Sequence, residues 1–104
     1  MSSHVLDIEK WAALSMFEQM GNIGSEVGRS MNALQRGDEE SLNGAYRRGL
    51  DLIDATVDAW DSEPRKRELL RAREVFTDAI ESRRVDRQLD NYFMQYAIAA
   101  RAMR

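Results

Sequence analysis

The stretch "GNIGSEVG", residues 21 to 28, sets three glycines inside a run whose neighbours all read as helix. A glycine in a helix interior weakens it by about 1 kcal/mol relative to alanine. Two structures need the missing side chain: a backbone cradle for phosphate, or a neighbouring helix that comes very close. A phosphate cradle places its glycines in a non-helical turn after a strand, with free N–H groups at a helix start. Here no strand pattern precedes and no Gly-Lys-Ser/Thr follows. At about 100° per residue, Gly21, Gly24 and Gly28 fall within an arc of about 60° at the edge of an apolar seam. Close packing is the stronger reading. Gly49, in the seam of the following helix, is the expected counterpart.

That seam runs through Phe17, Met20, Gly24, Val27, Met31 and Leu34, alternating spacings of three and four. Ser15-Met16-Phe17-Glu18 has the form of a capping box, so a helix is predicted over about 16–36. Gly37 suits its C-terminal cap and Asp38 the next N-cap. A second helix, about 39–60, carries Leu42, Tyr46, Gly49, Ile53, Thr56 and Trp60. Ser62 and Pro64 then start a third, about 64–83, which buries Leu69, Ala72, Phe76, Ala79 and Ile80. A break at "SRRVD" precedes a fourth, about 87–103, with Leu89, Tyr92, Phe93, Tyr96, Ala100 and Met103 facing inward. Residues 5–14, with Trp11, form a lead-in, read as a short helix across the bundle. Short connections make consecutive helices antiparallel neighbours. The expectation is one all-α domain over 1–104, an up-down bundle of four helices.

Composition narrows the function classes. With 43% hydrophobic and 32% charged residues, the chain has the balance of a globular protein rather than a disordered one. It has no cysteine, which removes disulfides, thiolate metal sites and a cysteine nucleophile. No apolar run approaches the roughly 20 residues needed to span a bilayer. "MSSHVLDIEK" lacks the basic-then-apolar order of a secretory signal, so a cytoplasmic, prokaryotic protein is expected. The lone histidine, His4, sits near one end and reads as a bystander. It cannot by itself supply a Glu-x-x-His di-iron site, a zinc site or a Ser-His-Asp triad.

Charge is distributed unevenly. Residues 1–63 hold five Lys/Arg against twelve Asp/Glu, whereas residues 64–104 hold ten against six. Halves of opposite sign can pair within a bundle or between subunits, and would favour antiparallel contacts in a dimer. Arginine outnumbers lysine thirteen to two. A GC-rich genome explains that bias more simply than selection for bidentate contacts to carboxylate or phosphate.

The phrases "GNIGSEVGRSM", "RGLDLIDATVD", "RAREVF" and "NYFMQYAIAAR" resemble a family of short, uncharacterised archaeal and bacterial helical proteins marked by an "NIGSE" helix. The resemblance covers roughly residues 15–101. It implies a compact helical bundle and brings no activity with it. Asn22, Gly24, Ser25, Glu26 and Arg29 match the marked phrase, and Arg73 and Glu74 match in the third helix. Asn22, Glu26, Arg29, Arg73 and Glu74 are therefore the candidate binding residues. The wheel sets Asn22, Glu26 and Arg29 away from the seam, where Glu26 and Arg29 form an i,i+3 pair. Arg73 lies about 40° from Leu69, at the edge of a buried face, and needs an acceptor such as a carboxylate.

Two chemistries remain as alternatives. Asp51, Asp54 and Asp58 share a helix face, and Mg²⁺ prefers such oxygen ligands, as in all-α nucleotide pyrophosphohydrolases. They point nearly opposite the seam, however, and the Glu-x-x-Glu spacing of that family is missing; a solvated acidic face fits better. "RKRELLRAR" and "SRRVDR" could form a basic stripe for nucleic acid, but Glu68, Glu74, Glu81 and Asp86 interrupt it. The leading expectation is a non-enzymatic interaction or accessory module without a cofactor. It is expected to self-associate, most simply as a dimer, and to dock a protein partner if it has one. Met94 and Ile98, one turn apart opposite the inward face of the last helix, are its expected interface.

Overall fold

In a computed structural model of the chain, residues 6–103 are described, and every regular element among them is helical. The elements are α1 (Ile8–Ala13), α2 (Met16–Arg36), α3 (Glu39–Ala59), α4 (Glu63–Glu81) and α5 (Arg87–Ala102). The lead-in is thus a fifth helix, with Trp11 buried in the core. His4 lies outside the described residues.

Local chemistry sets each boundary. Asp7 caps α1 by accepting from Lys10 N–H at 3.2 Å. Ser15 and Glu18 close a reciprocal capping box, both hydrogen bonds 3.1 Å long. Gly37, in the left-handed region at φ 75°, ends α2, and the Asp38 carboxylate takes the Ser41 N–H at 3.1 Å to start α3. Ser62 caps α4, with Pro64 in its first turn. That helix stops at Glu81, two residues short of expectation, because Arg83 turns left-handed at φ 59°. Asp86 then caps α5 through the Leu89 N–H at 2.9 Å.

The packing explains the glycines and corrects one expectation about them. α2 is flanked closely by both α3 and α5. A Cβ on Gly24 would lie 2.6 Å from the Phe93 Cβ, and one on Gly21 would lie 3.1 Å from the Ala97 Cα. A Cβ on Gly28 would meet Asp90 Oδ1 at 3.2 Å. All three glycines therefore face α5, not Gly49 on α3. Gly49 instead admits the Phe76 ring of α4, whose Cε2 would stand 3.0 Å from an added Cβ.

A helix flanked on two sides buries a wider arc than one seam. Gln19, Ile23, Glu26, Ser30 and Ala33 are buried along with the expected residues of α2. Glu26 was expected on the solvated face and is only 8% exposed, since α3 covers that side. At the far end of α5, Met103 is 67% exposed, so the inward face stops short of it. Around the core, Tyr46 meets Phe76 edge-on at 5.1 Å, and Tyr92 meets Tyr96 edge-on at 5.6 Å.

These contacts separate the glycines by consequence. Gly24→Ala should lower stability by about 1–3 kcal/mol, because the Phe93 Cβ is part of α5's frame and cannot swing aside. Gly24→Leu should lower it further. Gly44 is the control: an added Cβ would meet only the movable tip of Arg48. Gly44→Ala should raise stability by about 0.5–1 kcal/mol through helix propensity. Equal effects at both positions in urea unfolding would contradict the α2–α5 account.

The caps make a second prediction, about acid. The Leu89 N–H, helped by Arg84, holds the Asp86 carboxyl below its ordinary 3.8. A carboxyl depressed in the folded state adds stability that is full above the unfolded value and fades as pH falls through the folded one. Asp86→Asn keeps a capping oxygen but removes the titration. Its stability should therefore fall less steeply than the parent's below about pH 4. Parallel acid limbs in pH-dependent melting would rule this out.

Candidate functional site

The structure brings together two of the five candidate binding residues, and adds a third that sequence reasoning missed. Glu26 Oε2 accepts the Arg48 Nε–H at 3.1 Å. Its other oxygen, buried and without a hydrogen bond, stands 3.3 Å from Arg29 Nη1 as an ion pair. One sheltered carboxylate thus holds two guanidiniums, one from each of two neighbouring helices. The tip of Arg48 reaches it past Gly44, one turn back on α3. The Gly44-x-x-x-Arg48 spacing was the available signal, since residues four apart on a helix are neighbours.

Beside these three ions, a groove of about 400 Å³ runs between α2 and α3. Arg29, Arg36 and Arg48 line it, with Asn32 and Ser41 between them. Guanidinium forks suit carboxylate and phosphate. Each of these arginines nevertheless already faces an acid of the chain: Glu26 serves two, and Asp38 takes Arg36 at 3.2 Å. Glu40 also lines the groove. Its charges are balanced from within.

The other candidates lie elsewhere. Asn22 is exposed, beside the seam where α2 meets α5 at Ala97. Arg73 finds the carboxylate that its position called for, bonding Asp54 Oδ1 at 2.8 Å and Oδ2 at 3.2 Å. The bidentate contact, ahead of the opposing effect of burial, raises the Arg73 pKa further. Glu74 is exposed, one position along and turned away from that pair.

Asp54 belongs to the aspartate face weighed as a metal site. Asp51, Asp54 and Asp58 are all exposed, and Asp54 is engaged by the arginine. Among the described residues no group of three His, Cys, Asp or Glu side chains is placed to hold a metal ion. The basic stripe is likewise partly occupied. Arg83 bonds Glu39, Arg84 bonds Asp78 and Asp86, and Arg87 bonds Asp90 and Gln35.

A buried polar chain joins the first three helices. Trp11 Nε1–H donates to Thr56 Oγ1 at 2.8 Å, and Thr56 donates to the Leu52 carbonyl at 2.7 Å. Gln19 donates to the Trp11 carbonyl at 3.0 Å and accepts the Trp60 indole N–H at 2.8 Å. Both tryptophans are thereby fixed by partners from α2 and α3. The indole N–H groups of the two tryptophans called for acceptors, but nothing local in the sequence identified Gln19.

No family model matches the chain, and no curated protein or solved structure matches it. No helix among the described residues is long and apolar enough to cross a membrane.

The two cross-helix ion pairs differ in shelter, and that difference is measurable. In double-mutant cycles, Glu26 and Arg48 should couple by about 1–2 kcal/mol, because the carboxylate is buried and the bond charge-assisted. Arg73 and Asp54, more exposed, should couple by less than about 1 kcal/mol. The reverse order in denaturant titrations would show that Glu26 is better solvated than its burial implies.

Proposed function

We propose that this chain is a non-enzymatic interaction or accessory module of the cytoplasm, related to the helical proteins marked by the "NIGSE" phrase. In this reading its four long helices run up and down as a bundle, with α1 laid across one end. The bundle self-associates as a dimer through the outer side of α5.

The observation that carries the reading is the pair Met94 and Ile98, which are 44% and 58% exposed one turn apart on α5. A single exposed apolar residue is ordinary on a protein surface; two stacked along one helix form a strip. Ala97 lies beside them, over Gly21, so the adjoining surface is smooth. Methionine supplies an adaptable side chain for an imperfect seam. Asn22 and Ser25, exposed on the neighbouring helix, give that strip a polar rim. A closed two-fold pairing of such a strip buries it in both copies at once.

The nucleic-acid alternative draws on a stripe in which Arg73, Arg83, Arg84 and Arg87 already bond Asp54, Glu39, Asp78, Asp86 and Asp90. Using them on phosphates would require those bonds to exchange, which lowers the support for it. The hydrolase alternative rests on an aspartate face whose middle member is held by Arg73.

Light scattering coupled to size exclusion should report a species above the 12.0 kDa of one chain. Met94→Glu with Ile98→Glu should shift it toward monomer while helicity is retained. A parent protein that stays monomeric at high micromolar concentration would overturn the reading.

A further inference from the structure

A second feature, on the opposite side of α5 from Met94 and Ile98, has the make-up of a ligand site. Where the end of α3 meets α2, α4 and α5, a hollow of about 150 Å³ is left between the helices. Trp60, Tyr92 and Tyr96 wall it, with Met16, Met20 and Leu69 completing the apolar surface. Arg65 and Glu68, both exposed, stand at its edge. We propose that this hollow binds a small aromatic monocarboxylate, its ring held among Trp60, Tyr92 and Tyr96 and its carboxylate on the Arg65 guanidinium.

Size, shape and charge each support that class. A hollow of about 150 Å³ has room for one benzene-sized ring. Pockets for small molecules are mostly apolar and aromatic, with a few polar groups that fix orientation. The walls here are formed in advance. The Trp60 indole is tied to the buried Gln19, and Tyr92 and Tyr96 brace each other edge-on. Tyr92 also donates its hydroxyl to Glu68. Burial, with that bond, pushes the Tyr92 phenol up, so it remains the donor across the physiological range.

Arg65 sets the charge of the ligand. Its guanidinium donates to Met16 Sδ at 3.1 Å and pairs with no carboxylate among the described residues. A thioether is a weak acceptor, whereas a carboxylate accepts two guanidinium bonds at once. Arg73, Arg83 and Arg84 of the basic half bond acids instead. Glu68 differs from Arg65 in already holding the Tyr92 hydroxyl. The methionines allow the walls to adapt to ring substituents.

A second hollow, of about 290 Å³, adjoins this one and shares Met16, Trp60 and Arg65 with it. A substituent on the ring thus has room toward α1. The site is distinct from the Met94–Ile98 strip, so ligand binding and self-association are separable.

The full chain should be titrated with benzoate, benzyl alcohol and benzylammonium, reading indole N–H and methionine methyl resonances. Benzoate should shift Trp60, Met16 and Met20 saturably, with a dissociation constant on the order of 1 mM or tighter. The Trp11 indole, buried on Thr56, should stay in place. Arg65→Gln changes one exposed side chain; it should keep the folded spectrum and weaken benzoate by about tenfold or more. The parent should hold benzyl alcohol and benzylammonium more weakly than benzoate. Absence of a saturable shift with benzoate would overturn the proposal. So would an Arg65→Gln variant that binds benzoate as the parent does, or a preference for benzylammonium, which would make Glu68 the anchor.

Discussion

Phe93 lies so close to Gly24 that a single methyl group on α2 would collide with it, at 2.6 Å from Cβ to Cβ. That contact fixes the register of α5, because a helix held at one point can present only one face. With Phe93 on Gly24, Ala97 comes to rest on Gly21 and Asp90 beside Gly28. The side chains between these points are then distributed without further choice. Tyr96 turns toward Phe17, at 6.2 Å between ring centres, and Tyr92 turns toward Glu68 on α4. Met94 and Ile98 are left outside. The helix-weakening glycines are therefore what allow α2 and α5 to behave as one rigid pair, since interiors tolerate little slack.

The two sides of the bundle differ for the same reason. α5 approaches α2 backbone to backbone, while α4 is kept at a distance from both α3 and α5 by large side chains. Phe76 and Tyr46 fill the α3–α4 side edge-on, and Gly49 makes room for the ring. On the α4–α5 side the rings of Tyr92 and Tyr96 brace the gap without filling it. Aromatic pairs favour such edge-to-face geometry, which leaves space at the corners. The hollow beside Trp60 is one of those corners, and Gln19 holds its wall in place.

Much of this was readable in advance because it is local. Caps at Ser15, Asp38 and Ser62, the glycine at Gly37 and the break within "SRRVD" all act within a few residues, so their signals sit side by side in the sequence. The need of Arg73 for a carboxylate was readable too, since a half-buried guanidinium has few alternatives. Its identity was not: Asp54 stood out as a possible metal ligand, and only the crossing of α3 and α4 makes it a partner. Glu26 was placed on the solvated face because a wheel drawn around one seam assumes one neighbour. A central helix has two, and the second neighbour buries what the wheel leaves outside. The same assumption paired the α2 glycines with Gly49 instead of Phe93. The Gln19–Trp60 bond joins residues whose nearness depends on the whole fold, and no local pattern carries it.

Charge shows how folding can use up a signal that looks intermolecular. The acidic first half and basic second half suggest two surfaces that attract each other, within a chain or between chains. Several of those charges meet inside one chain: Arg73 with Asp54 and Arg83 with Glu39 tie the halves together directly. Arg84 and Arg87 bond acids of their own half. Exposed pairs of this kind contribute little each, at most about 1 kcal/mol, but they lower the charge left to steer a partner. A dimer formed through α5 must then draw its stability from apolar burial at Met94 and Ile98, not from the opposed halves. Such an interface should be nearly insensitive to salt, because screening acts on charges and leaves the burial of apolar surface largely untouched. The asymmetry so plain in the sequence belongs in part to the fold of the single chain.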